Sequence, residues 1–188
     1  MTTGSVSAPS DAAGTRLLAS GFFVLQLCLG YVWLMSGLSK VAAGNFPDKL
    51  GQVLTGMTQG QSGWYKSFID SVVIPNGPTF GFMTMLGELS VGIVLILTSL
   101  LYLFRSARLG SRQRALLIAL VAFASLAGAA MSLNYHLTMG ANPPWVISPD
   151  PYDQGVDLDS IFVILQLIVA AVCAKYLWSL RRGTEPAE

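Results

Sequence analysis

The stretch FGFMTMLGELSVGIVLILTSLLYLF, from Phe80 to Phe104, decides the fold class of this chain. It is almost wholly apolar, and a helix of about 25 residues is long enough to span the hydrocarbon core of a bilayer. A single carboxylate, Glu88, lies inside it. Because an ionisable side chain in a membrane span is costly without a partner or a task, Glu88 is the residue to explain.

The composition is that of an integral membrane protein. Of the 188 residues, 53% are hydrophobic and 11% are charged, whereas a soluble domain carries about 25% charged residues. A chain of this length has room for one domain of a few spanning helices. The formal net charge of +1 gives no indication of nucleic-acid binding.

Three further apolar runs predict three further spans: Leu17 to Leu38, Ala115 to about Leu137, and about Leu158 to Leu180. The first run is longer than the apolar part of a secretory signal peptide, so we expect a retained span, with a cleaved signal as the alternative. The predicted fold is therefore an all-α membrane protein, a bundle of four transmembrane helices over residues 16–182. The small polar residues of the segment 1–15 predict a flexible N-terminal tail. Residues 183–188 are expected to form a short C-terminal tail.

Basic residues divide unevenly between the two ends of the predicted spans. Eight of the 11 fall on one side: Arg16, Arg105, Arg108, Arg112, Arg114, Lys175, Arg181 and Arg182. Three fall on the other: Lys40, Lys49 and Lys66. The positive-inside rule then predicts that both termini are cytoplasmic.

The segment between the first two spans is mixed in composition. A partly helical stretch is predicted over Lys49 to Met57, and Gly60 to Gly63 is expected to end it. The aromatic run that begins at Trp64 suits a membrane-water boundary, so we expect a loop on the membrane surface. The sequence Pro75-Asn76-Gly77-Pro78 predicts a turn that closes this loop before the second span.

The predicted topology brings polar side chains from all four spans to one level. They are Ser36, Lys40, Glu88, Asn134, Tyr135, His136 and Gln166. Since a carboxylate in a low dielectric either neutralises or pairs, Lys40 is the expected partner of Glu88.

Two interpretations of this polar group stay open. In the first, the side chains are interhelical hydrogen-bonding contacts with a structural role alone. In the second, they line a pocket for a polar headgroup such as a quinone, with Glu88 and Lys40 as the catalytic pair. Glu88 would exchange protons, and Asn134, Tyr135 or His136 would hydrogen-bond a carbonyl oxygen, with Ser36 and Gln166 at the same level.

The cysteines and the small residues favour structural roles. Cys28 and Cys173 lie in apolar runs without metal-ligand spacing, so we expect buried, unreactive side chains and neither a metal site nor a covalently bound cofactor. Ala124, Gly128 and Ser132 repeat every four residues, a ridge that permits close helix approach.

Four short motifs resemble those of the DoxX/DoxD family. GYVWLMSGLSK, ending at Lys40, is similar to its first-helix signature, and GELSVG, which contains Glu88, to its second-helix Gly-Glu segment. WYKSF followed by Val73-Ile74-Pro75 resembles the first outer loop of the DoxD-like branch. Leu133-Asn134-Tyr135 with Gly140 resembles the end of the third helix.

The resemblance implies a quinone-linked role, because the family includes the membrane subunit of thiosulfate:quinone oxidoreductase. It implies a multi-pass protein of a bacterial or archaeal cytoplasmic membrane, with lipid and other membrane or peripheral redox subunits as partners and a quinone as the bound cofactor. Glu88, Lys40 and Asn134 stand at matching positions. The alternative is a non-catalytic accessory subunit of a larger respiratory or photosynthetic membrane complex.

Overall fold

The computed structural model describes residues 11–105, 108–140 and 157–182, and this part of the chain is helical and contains no strand. The α-helices are α1 (Asp11–Ala43), α2 (Phe46–Met57), α3 (Trp64–Phe68), α4 (Gly77–Arg105), α5 (Ser111–Met139) and α6 (Leu158–Arg181). Four of the helical segments are long and apolar enough to cross a membrane, those containing α1, α4, α5 and α6. The predicted all-α class and the four predicted spans are confirmed, and the side on which the termini lie stays a prediction.

The long helices pack as two close pairs, α1 on α4 and α5 on α6. Glycine permits the first contact, since a Cβ atom on Gly92 would lie 2.5 Å from the backbone nitrogen of Leu34. The second contact uses the predicted ridge, because a Cβ atom on Gly128 would overlap the side-chain amide of Gln166. Side chains from all four long helices then form one apolar core between the pairs, centred on Leu95, Val121 and Val169.

A smaller apolar cluster holds the short helices. Leu54 of α2 packs on Ile69 and Val73, which follow α3. Close backbone contact anchors α2 to the start of α4, where a Cβ atom on Gly81 would lie 2.5 Å from the Cα atom of Pro47. The short helices therefore cover one end of the bundle, the end where α1 and α5 finish and α4 and α6 begin.

The turn predicted at Pro75 to Pro78 is wrong, because Trp64–Arg105 is one continuous helical segment. It passes through a π-helical turn, Ile69–Val73, and a 3-10 turn, Ile74–Asn76, before α4 begins. Pro75 is the second residue of the 3-10 turn and Pro78 is the second residue of α4. The fixed φ of proline suits the start of a helical turn, so both are tolerated where one helix type changes to the next. The Asn76 side-chain amide also donates to the Val72 carbonyl at 2.8 Å.

Smaller corrections concern boundaries and one cysteine. Helix α1 begins at Asp11, inside the stretch of residues 1–15 predicted as a tail, and Arg112 and Arg114 lie in the first turn of α5. Cys173 is buried as predicted, but Cys28 is exposed on the outside of α1. A thiol is small and apolar, so the outer face of a membrane-spanning helix can accommodate Cys28. Residues 141–156, which include most of the segment predicted to join the third and fourth spans, lie outside the described residues.

Candidate functional site

Glu88 is fully buried, and three side chains from two other helices converge on its carboxylate. Lys40 Nζ lies 2.9 Å from Oε1 and 2.7 Å from Oε2, which confirms the predicted pair. The Ser36 hydroxyl donates to Oε1 at 3.1 Å, and the Tyr135 hydroxyl donates to the same oxygen. We call Ser36, Lys40, Glu88 and Tyr135 the Glu88 cluster.

Local geometry explains how α1 supplies two of these groups. Ser36 and Lys40 are one helical turn apart and therefore share a face. Lys40 Nζ also donates to Ser36 Oγ at 3.0 Å. The ammonium lies 5.2 Å from the ring centroid of Phe46 and 5.8 Å from that of Tyr135, positions that favour cation–π attraction. The buried carboxylate thus faces a cation that the surrounding side chains hold in place.

A cavity of about 650 Å³ lies beside the Glu88 cluster. Ser36, Lys40 and Tyr135 form part of its wall, so the Glu88 carboxylate is one side chain away from the space. Most of the remaining wall is apolar and comes from α2, from the segment around α3, and from α4 and α5. Ligand pockets in proteins typically measure about 300–1,000 Å³ and combine an apolar wall with a few convergent polar groups.

Methionine is concentrated around this cavity. Four of the seven methionines of the chain line it: Met57, Met83, Met131 and Met139. Three of them, all but Met131, are exposed, so this rim opens on the outside of the bundle. Unbranched thioether side chains adapt to irregular apolar ligands, and this wall therefore suits a flexible apolar molecule that enters from the side.

The structure divides the other predicted site residues into two groups. Asn134 lines the cavity, and its backbone and side-chain oxygens accept from the Tyr65 hydroxyl at 3.1 and 3.2 Å. Gln166 lies elsewhere, between α5 and α6, where its amide has no hydrogen-bond partner among the described residues. His136 also points away from the Glu88 cluster and pairs with Asp157 through Nδ1, at 2.6 Å.

Several lining residues were not predicted. Tyr65, Thr138 and Asp159 add polar groups to the wall. Helix α2 contributes Leu50, Val53, Leu54 and Met57, and this i, i+3, i+4, i+7 spacing is an amphipathic signal that could have identified the cavity wall from sequence. Tyr65 carried no such signal, because an aromatic residue near a span is usually an interfacial anchor.

Asp157 caps α6. Its Oδ1 accepts from the Ser160 backbone N–H at 3.1 Å, while Oδ2 faces His136. Burial acts to raise the pKa of the Asp157 carboxyl, but hydrogen bonds from His136 and Ser160 outweigh burial and hold that pKa below its ordinary value. The end of α6 is thereby tied to the end of α5.

The four apolar helices and the polar cluster among them define the class, a multi-pass membrane protein with a ligand-sized lateral cavity. No family model matches the chain, and no curated protein and no solved structure is found to be similar to it. The DoxX/DoxD resemblance therefore stays a prediction.

Proposed function

We propose that this chain is the quinone-binding membrane subunit of an oxidoreductase of DoxX/DoxD type. The observation that carries the proposal is the cavity of about 650 Å³, which is apolar over most of its wall and reaches the hydrogen-bond donors around a buried carboxylate. A quinone has the matching chemistry, an apolar ring and tail with two carbonyl oxygens that accept hydrogen bonds. Its membrane is that of a bacterial or archaeal cell, as the resemblance implies.

The Glu88 cluster supplies what the quinone oxygens require. Lys40 and Tyr135 line the cavity, and a quinone oxygen there would take over an N–H or O–H that now bonds Glu88 or Ser36. A quinone gains two protons when two electrons reduce it to the quinol. The Glu88 carboxylate, hydrogen-bonded to both donors, would take up a proton from the aqueous phase and pass it to whichever donor has given one up. The electrons come from a reduced sulfur compound or a partner redox subunit, since the role of this chain is to hold the quinone and move protons.

Binding to purified protein in lipid nanodiscs tests the proposal. A short-chain quinone should bind saturably to the wild type, and Lys40→Met should weaken binding by about tenfold, the effect of about 1.4 kcal/mol of lost hydrogen bonding. Lys66→Met is the matched control, because Lys66 forms its ion pair with Asp70 and does not line the cavity. Binding that is not saturable in the wild type, or is equal in both variants, would contradict a quinone site at the cluster.

One observation favours a second function, that of an accessory subunit in a larger complex. The Glu88 carboxylate is fully buried and bonded to side chains of α1 and α5, as expected for an interhelical contact with only a structural task. On that account Glu88→Gln would loosen the bundle, and adding Lys40→Met would restore it with no quinone involved. Mass spectrometry of the natively purified protein distinguishes the two functions. Stoichiometric quinone supports the quinone-binding subunit, and a cofactor-bearing complex without such quinone supports the accessory subunit.

A further inference from the structure

The end of the bundle opposite the cavity has an excess of positive charge. Eight of the 11 basic residues of the chain lie there, where α1 and α5 begin and α4 and α6 finish. Of the ten acidic residues, only Asp11, Glu185 and Glu188 are close to this end in the sequence. The excess is therefore at least five positive charges, and a surface of this charge attracts anionic groups at the membrane boundary.

The outer face of α6 leads to this charged end. Six exposed side chains recur there at intervals of three or four residues, so they share one face of the helix and its C-cap. In chain order they are Ile164, Ile168, Val172, Lys175, Trp178 and Arg182. The first three are apolar, and two of the last three are cations. This face is therefore apolar along most of the span and cationic where the span ends.

Trp178 and Arg182 contact each other at the end of this face. The guanidinium carbon of Arg182 lies 4.8 Å from the ring centroid of Trp178, a cation–π position that holds the charge beside the helix. Lys175 lies about one turn before Trp178, and its aliphatic chain is long enough to bring the ammonium to the same boundary. Both cations are exposed, and neither forms an ion pair with any residue in the described ranges. The three nearby acids are too few to neutralise this end of the bundle.

We propose that this face of α6 binds an anionic phospholipid. An acyl chain lies along Ile164, Ile168 and Val172, and the phosphate oxygens accept charge-assisted hydrogen bonds from Lys175 and Arg182. A lipid is favoured over an acidic protein because α6 rises about 16 Å from Ile164 to Lys175, the depth of one leaflet of a hydrocarbon core about 30 Å thick. The excess of positive charge favours an anionic over a zwitterionic headgroup. The site uses neither the cavity nor the quinone.

Native mass spectrometry of the detergent-solubilised protein, titrated with phosphatidylglycerol or with phosphatidylcholine of the same acyl chains, tests the site. The wild type should bind the first phosphatidylglycerol more tightly than the first phosphatidylcholine. The double variant Lys175→Gln, Arg182→Gln should weaken phosphatidylglycerol binding about 25-fold, about fivefold for each lost charge. The matched control is Lys49→Gln, Lys66→Gln, which removes the same charge at the other end of the bundle and should leave that affinity unchanged.

Three results would overturn the proposal. Equal affinities of the wild type for the two lipids would show that the headgroup charge is not recognised. Equal losses in the two double variants would assign the preference to the net charge of the protein and not to α6. An acidic protein subunit retained in place of lipid after native purification would assign the cations to a protein partner. Thermal unfolding of both variants in phosphatidylcholine should match that of the wild type, so a loss of lipid binding is not mistaken for a loss of fold.

Discussion

Lys40 Nζ and Glu88 Oε2 lie 2.7 Å apart although the two residues belong to different helices, and the Glu88 side chain is wholly inaccessible to solvent. A buried ion pair of this kind makes the loss of one partner far more harmful than the loss of both, because the remaining charge stays buried without compensation. The cavity beside it gives the same pair access to a ligand.

The first prediction concerns this asymmetry. Lys40→Met should lower the free energy of unfolding by about 3–5 kcal/mol, since Glu88 then keeps a buried charge without its cation. The double variant Lys40→Met, Glu88→Gln should recover most of that loss. Denaturant titration in mixed micelles measures both, and a double variant no more stable than Lys40→Met would contradict the pairing as an energetic unit.

Helix packing gives a second prediction. Gly128→Ala should destabilise the protein by about 1–3 kcal/mol, because the new Cβ atom would overlap the fully buried Gln166 amide. The same change in a Gln166→Ala background should be tolerated. Gly56→Ala is the control, since a Cβ atom there meets nothing within 4 Å. Thermal unfolding followed by circular dichroism reports all four, and equal losses from Gly128→Ala in both backgrounds would show that the Gln166 contact is not the cause.

Tyr135→Phe separates hydrogen bonding from packing at the Glu88 cluster. The ring keeps its place, but Glu88 loses a hydrogen bond to a charged acceptor, worth about 1.5–3 kcal/mol. We expect a stable, inserted protein with weaker quinone binding. Tyr102→Phe is the matched control, because the Tyr102 ring stacks on Phe23 in the apolar core, away from the cavity. Equal quinone affinities in the two variants would argue against a binding role for the Tyr135 hydroxyl.

Acid should loosen the junction of α5 and α6. The pKa of the Asp157 carboxyl is lower in the folded protein than in the unfolded chain, so its contribution is fully present above the unfolded value of about 4 and is lost as the pH falls through the folded value. Protection of the first turn of α6 against hydrogen exchange, taken relative to the intrinsic rate at each pH, should therefore fall below about pH 4 in the wild type. Asp157→Asn, which keeps an N-cap side chain, should remove most of this dependence. An unchanged acid response in that variant would assign the effect to another carboxylate.

Much of the fold could be predicted from the length of the hydrophobic runs. The Lys40–Glu88 pair could be predicted because a lone buried charge is costly. The turn at Pro75 to Pro78 was mispredicted because proline and glycine resemble a break in sequence, whereas in the first turn of a helix neither causes one. The direction in which a polar side chain on a spanning helix points was harder to predict. Neighbours Tyr135 and His136 face different partners, Glu88 and Asp157, and only the packing of α5 between α4 and α6 decides that.

The sequence indicates one wall of the cavity, on α2, but the enclosed space could not be predicted, for a related reason. It arises where α2 and the segment around α3 cover the bundle end, through contacts such as Gly81 on Pro47. No local pattern encodes that contact, although the amphipathic spacing on α2 indicates that one face of the helix is covered.

Photo-crosslinking with a short-chain azidoquinone in nanodiscs, followed by peptide mass spectrometry, tests the central claim most directly. A quinone in the cavity should label α2 and the peptide that carries Met131, and excess unmodified quinone should abolish the labelling. Labelling of lipid-facing residues such as Phe123 and Leu126, in proportion to their exposure and without competition, would contradict a quinone site at the Glu88 cluster.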